Sequence, residues 1–319
     1  MSARLILNPA AGADEALASL EHLNGRLRAI FGDLDIVITT GPADAEAAGA
    51  RAARDGDTRI FVAGGDGTLN EVLNGVYDSG RLGEITFGVI PLGTGNDFAR
   101  AIGIPEDLEG ALDCLAENRE TSVDVGELND RVFVNVSAGG FIGEVSDAVT
   151  PGLKTVAGKL AYLIGGAQVL LSYDPVVATV APRGECVVLH PGRALGGGTI
   201  DGSRELPIEL FAVCNSRQIG GGRLIAPEAI VNDGWLDVCV IEAMPTLEFV
   251  GLLREVADGA HLGDPRVSYF RVRELTVEFE RPVKVNTDGQ VLETSRCHYR
   301  VLPRAARFLA PAVSPVSHA

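Results

Sequence analysis

Lysine is nearly missing from this chain. There are three in 319 residues (Lys154, Lys159, Lys284), out of 27 basic residues, and none lies in the first 153 positions. That excludes a phosphate loop of the G-x-x-x-x-G-K-[ST] kind in the N-terminal half. A polyphosphate held there must rely on backbone amides, a divalent ion or an arginine. Positive charge as a whole is scarce, and the net charge of −16 argues against nucleic acid as a partner and against adhesion to anionic membranes by bulk charge. A saline habitat and a GC-rich genome both produce this acidic, lysine-poor balance. Cysteine is sparse too: Cys114, Cys186, Cys214, Cys239 and Cys297 are scattered, which predicts buried free thiols in a reducing cytosol. No His/Cys cluster has metal-ligand spacing. The longest apolar run, 160–171, is too short to cross a bilayer. The N-terminus enters a strand at once without a signal peptide, so a cytoplasmic protein is expected. There is no internal repeat and no low-complexity tail.

What is present is organised around Ala63-Gly64-Gly65-Asp66-Gly67-Thr68-Leu69-Asn70-Glu71. Upstream, 58–62 is a β-branched and aromatic run that reads as a buried strand. Downstream, Leu69, Val72, Leu73 and Val76 recur with helical spacing. A strand that breaks into glycines and an acid, then opens a helix, offers backbone N–H groups and the positive end of a helix dipole to phosphate. Gly64, Gly65 and Gly67 permit φ > 0 and close approach of a ligand. Asp66 among those donors can handle a proton or a metal. One such turn fits a plain chain reversal equally well. A second changes the balance: a strand at 85–90 is followed by Pro91-Leu92-Gly93-Thr94-Gly95-Asn96-Asp97-Phe98-Ala99-Arg100. Paired turns at the carboxyl ends of strands are where α/β sheets take ligands. The first turn lacks the third glycine of G-x-G-x-x-G, so a dinucleotide fingerprint fits poorly.

Strand and helix alternate from residue 4 through both turns, which predicts a parallel sheet covered on both faces. After 122–128 the rhythm changes. A helical region is expected over 144–172. Separate strands follow at 176–180, 186–190, 207–214, 236–241, 267–272 and 275–279, with one helix at 246–257. That succession predicts an antiparallel sandwich. The expected domains are 1–127 with a C-terminal return at 303–319, and 128–302.

The two glycine motifs together resemble the catalytic region of the soluble diacylglycerol kinases, which include bacterial lipid kinases and the sphingosine kinases. The first motif is shared with NAD kinases and 6-phosphofructokinases; the second is more specific to the lipid kinases. The resemblance implies an NAD kinase/diacylglycerol kinase-like α/β domain followed by a β-sandwich, with ATP and Mg²⁺ as cofactors. It implies nucleotide contacts at Asn8, Pro9 and Gly12, at Thr40 near the adenine, at Gly64, Gly65, Asp66, Gly67, Thr68, Asn70 and Glu71, and at Thr94 and Asn96. Asp97 joins the magnesium network. The block running from Gly220-Gly221-Gly222 to Asp237 matches a family segment carrying a structural Mg²⁺, held by the Asp233 carboxylate and the carbonyls of Ile230 and Trp235.

Where the family reads Asp-Gly-Glu, this chain reads Asp288-Gly289-Gln290. An amide cannot take a proton at neutral pH. Asp66 or Asp288 is then the expected base, with Gln290 positioning the hydroxyl, or the acceptor is not diacylglycerol. The expected activity is γ-phosphoryl transfer from ATP to a lipid hydroxyl in a cleft between the domains. The enzyme would visit the membrane surface peripherally, and a homodimer is compatible with the family. Two alternatives stay open: a kinase of a soluble hydroxyl compound, as in NAD kinase, and a nucleotide-binding regulator weakened at Gln290.

Overall fold

The computed structural model describes residues 3–11, 20–148, 173–193 and 202–311. The chain divides into two compact units, Met1–Val125 with Pro303–Ala319, and Gly126–Leu302.

In the first unit the order is β1 (Ala3–Leu7), α1 (Leu20–Phe31), β2 (Asp35–Ile38), α2 (Asp44–Asp55), β3 (Arg59–Gly64), α3 (Asp66–Asp78), β4 (Thr86–Pro91), α4 (Asp97–Ala101), α5 (Leu108–Ala116) and β5 (Glu120–Leu128), which runs on into the second unit. β1 pairs with β2 on one side and β3 on the other, and β3 pairs with β4, all parallel. Arg307 and Phe308, far along the chain, extend the sheet in parallel beside Thr86 and Phe87. β1 and β4 are buried along their whole length, as strands covered on both faces must be. The core gathers Leu5, Leu7, Phe61, Ala63 and Ile90 with Leu23 and Leu27 of α1 and Leu112 and Leu115 of α5.

Helices α2 and α3 touch backbone to backbone because Gly49 and Gly75 lie at their crossing. A Cβ on Gly75 would sit 2.0 Å from the Glu46 carbonyl oxygen and 2.9 Å from the Ala50 amide. Alanine is the better helix former by about 1 kcal/mol, but neither neighbour is a side chain that can swing aside. Gly75→Ala is therefore expected to destabilise by about 3 kcal/mol, the upper end for overpacking. The midpoint of urea unfolding measures it.

The second unit contains β6 (Arg131–Phe133), β7 (Val136–Gly140), α6 (Phe141–Ala148), β8 (Val176–His190), β9 (Arg204–Cys214), β10 (Leu236–Glu242), α7 (Thr246–Glu255), β11 (Val267–Thr287) and β12 (Gln290–Leu309), which continues into the first unit. Its strand pairs are antiparallel. One core gathers Phe133, Phe211, Phe270 and Tyr299; another gathers Phe141 with Phe249 and Leu252 of α7.

Three strand assignments need correction. The expected pairs 176–180 with 186–190, and 267–272 with 275–279, are each one long strand, β8 and β11. The register shifts between Val272 and Glu274, and again between Glu278 and Val283, so the strands bend without ending. Pro282 sits within the second irregularity, where a strand tolerates proline, while Pro182 pairs with Leu275 just past the first. Residues 280–287 and 290–298, given no strand above, complete β11 and begin β12. Of the helix expected over 144–172, residues up to Ala148 are helical and the stretch from 149 lies outside the described residues. All five cysteines are free thiols, with Cys186 half-buried and the other four buried.

Candidate active site

Three turns meet at the carboxyl ends of β1, β3 and β4. The chain leaves β1 toward β2 on one side and returns to β3 on the other, so the winding direction reverses between β1 and β3. Open parallel sheets take ligands in the crevice at that point. Asn8, the first residue past β1, donates from Nδ2 to Thr68 Oγ1 at 2.9 Å, and its Oδ1 accepts from the Ala10 amide at 3.0 Å. The reversal point is thus bridged by a side-chain hydrogen bond. Pro9 begins a single 3₁₀ turn (Pro9–Ala11), and Gly12 lies outside the described residues.

Asp66 is the first residue of α3, immediately after Gly65. Its Oδ2 accepts from the Asp97 amide and its Oδ1 from the Phe98 amide, both at 3.1 Å, so it caps α4 from across the sheet. Burial pushes its carboxyl above the ordinary carboxylate range. The charge of Asp97 adds to this, and the two amides oppose it. The backbones of Gly65 and Gly93 are in close contact, for a Cβ on Gly93 would lie 2.6 Å from Gly65 Cα. Asn96, in the left-handed region at φ 51°, closes the second turn by exchanging hydrogen bonds with the Gly93 amide (3.0 Å) and carbonyl (2.6 Å). Thr94 stands exposed at the tip. Asp97 is buried and accepts from Arg100 Nη1 at 2.9 Å. Arg100 also donates to the Gly95 carbonyl at 3.1 Å and to Glu106 at 2.8 Å.

Several expected contacts are committed within the chain. The Thr40 amide and hydroxyl both donate to Asp44 Oδ2 at 2.8 Å, closing the turn before α2 and holding the Asp44 carboxyl below its usual range. Asn70 is buried, and its Oδ1 accepts from Asn74 at 3.1 Å, so this side chain faces inward. Asn96 shapes its own turn. Glu71 is half-buried on α3.

In the second unit Asp288 and Gly289 have φ of 47° and 94° and connect Thr287 to Gln290 of the β11–β12 hairpin. Two left-handed residues in a two-residue loop mark a type I′ turn, for which Asp-Gly between strands is the local signal. The Asp288 carboxylate is buried and accepts the amides of Val134 (2.8 Å), Asn135 (3.2 Å) and Val136 (2.8 Å). A carboxylate so bonded ties the hairpin to the 134–136 segment. Around it lies a buried polar cluster that sequence spacing did not reveal. Asn215 donates to the Val134 carbonyl at 2.9 Å, Ser216 bonds Asn135, and Ser137 joins Thr287 (2.9 Å) and Tyr299 (3.0 Å). Gln290 is exposed at the start of β12.

The proposed metal loop carries its own ion pairs. Asp233 Oδ1 accepts the Trp235 amide at 3.1 Å, and its Oδ2 lies 3.8 Å from Arg271 Nη1. Arg271 also donates to Asp237 Oδ1 at 3.1 Å and to the Glu228 carbonyl at 2.5 Å. Asp237, buried, is pushed up to about 6 by desolvation despite Arg271 and the Tyr269 hydroxyl at 2.6 Å. Among the described residues no three His, Cys, Asp or Glu side chains gather as a metal site.

A parallel sheet with two glycine turns in contact at the tips of β3 and β4, joined in one chain to an antiparallel sandwich, is the architecture of the NAD kinase and diacylglycerol kinase class. The comparisons agree. The diacylglycerol kinase catalytic domain model matches residues 2–128, and the YegS C-terminal NAD kinase beta sandwich-like domain model matches 135–310. A diacylglycerol kinase of Bacillus subtilis is 32% identical over 289 residues, 90% of this chain and 89% of that one. One from Staphylococcus aureus is 31% identical over 309 residues, covering 97% and 92%. The crystal structure of a diacylglycerol kinase from Bacillus anthracis superposes with a TM-score of 0.70 at 22% identity over 97% of both chains, a likeness of fold. The chain belongs to the diacylglycerol kinase family and is a lipid kinase. No described helix is long and apolar enough to cross a membrane.

Proposed function

We propose that this kinase transfers the γ-phosphoryl group of Mg·ATP to the hydroxyl of diacylglycerol, a sphingoid base or a related lipid, reached peripherally at a membrane surface. The observation that carries the reading is the Asp66 carboxylate spanning the two glycine turns, with Asn8 and Thr68 closing the reversal point beside it. With Asp97 and Phe98 amides taken by Asp66, and Gly93 taken by Asn96, the phosphate donors are the amides of Gly67, Thr68, Thr94 and Gly95. No lysine is needed. A lipid alcohol is a weak nucleophile, and its proton must leave as the phosphoryl group arrives. Asp66 takes that proton; burial makes its carboxylate a stronger base than an ordinary one. Asp97, held by Arg100, would supply a carboxylate toward Mg²⁺, which when bound would neutralise charge on the transferring group. Gln290 orients the acceptor hydroxyl by hydrogen bonding, and Asp288 keeps the hairpin in place.

Radiolabelled ATP with a panel of lipids and Mg²⁺ tests this. Label is expected in the chloroform phase for at least one lipid class. Label in the aqueous phase alone would favour a soluble acceptor, and none in either phase counts against transfer. Gln290→Glu is expected to raise turnover by about 10²-fold if the amide limits proton transfer. Tight ATP binding without turnover in either form would make the chain a nucleotide-binding regulator.

A further inference from the structure

The family resemblance leads one to expect a divalent ion on the 228–237 loop, but Asp233, the one side-chain ligand expected there, already lies beside a cation. Arg271 lies directly opposite Asp237 across the β10–β11 pair. Its three nitrogens reach three different residues: Nε to Asp237 (3.1 Å), Nη2 to the Glu228 carbonyl (2.5 Å), and Nη1 toward Asp233 Oδ2 (3.8 Å). The remaining Asp233 oxygen is occupied by the Trp235 amide. Two residues further along β11, Arg273 lies 4.8 Å over the Trp235 ring. A planar guanidinium with five donors matches three acceptors spread around a loop. A hard divalent ion needs about six oxygens at roughly 2.0–2.6 Å, and it would have to share Asp233 with a fixed positive charge.

We propose that Arg271 is the resident cation of the 228–237 loop and holds it without a structural divalent ion. Mg²⁺ is then required only with the nucleotide. The inference goes beyond the proposed activity, and its test uses no turnover, so the two fail separately.

The full chain, purified without chelator, is measured for bound metal by mass spectrometry and for Tm in Mg²⁺ and in EDTA, without nucleotide. Substoichiometric magnesium and the same Tm in both buffers are expected. Arg271→Met should lower Tm by roughly 5–10 °C and recover part of the loss when Mg²⁺ or Mn²⁺ is added, since two carboxylates and a carbonyl are released. Arg271→Lys, which keeps the charge but not the fork, should fall between. Stoichiometric magnesium in the wild type, a lower wild-type Tm in EDTA, or an Arg271→Met protein with wild-type Tm would each overturn the proposal. Should Arg271→Met fail to accumulate, the wild-type metal content and EDTA melt decide alone.

Discussion

Asp66→Asn is expected to lower kcat by about 10³-fold or more, with the fold retained. General-base catalysis alone contributes 10²–10⁴, and the substitution removes a second function as well. The two carboxylate oxygens receive the Asp97 and Phe98 amides. An amide side chain offers one acceptor, and its NH₂ would face a backbone N–H. Calorimetry with Mg·ADP separates the two effects. A base predicts nucleotide affinity preserved within a few-fold while kcat collapses; a purely structural tie predicts that both fall together. Retained turnover would remove Asp66 from the mechanism. The pH profile offers an independent reading. Because burial raises the Asp66 pKa, the acid limb of kcat/KM should lie above the ordinary carboxylate range and disappear in the variant. The same shift has the opposite sign for stability. The fold favours the protonated acid, so this group's contribution is full below the ordinary value and is lost as pH rises through the raised one.

Gly93→Ala is expected to abolish nucleotide binding by a different route, and to destabilise the chain by about 1–3 kcal/mol. The new methyl would lie 2.6 Å from Gly65 Cα and 2.8 Å from Asn96 Oδ1. One neighbour is backbone, and the other is the side chain that closes the turn. Neither can yield without separating the two glycine turns, so affinity for Mg·ATP should fall by at least about 10²-fold, the loss of roughly two charge-assisted hydrogen bonds. Gly65→Ala meets Gly93 Cα at 3.3 Å and should be milder. Gly25→Ala serves as the control, since nothing lies within 4 Å of its Cβ. A Gly93→Ala protein that binds Mg·ATP like the wild type would show that the phosphates do not rest on these turns.

The parts of this molecule legible in one dimension are those decided within about ten residues. Strand, glycine turn and helix at 59–78 follow from side-chain period and from the need for close backbone approach, and both are local properties. The hairpin turn at Asp288-Gly289 was missed, because 280–287 and 290–298 were given no strands for an Asp-Gly turn to join. Long strands were less legible: β8 and β11 pass through proline and polar residues because a shifted register lets the ladder resume beyond them. Nothing in the sequence marks that resumption.

The residues' assignments to partners belong to the tertiary structure. Every backbone amide is chemically alike, so no spacing announces that Asp66 will cap a helix some thirty residues on, or that Asp288 will collect three amides from 134–136. Arg271 is one arginine among many until strand pairing sets it opposite Asp237 and within reach of Asp233. The composition and the paired motifs by themselves determined that no phosphate-loop lysine stands in the N-terminal half, and to which family the chain belongs. Which carboxylates remain available for chemistry, and which are consumed in holding loops, was decided only when packing fixed the donors around each of them.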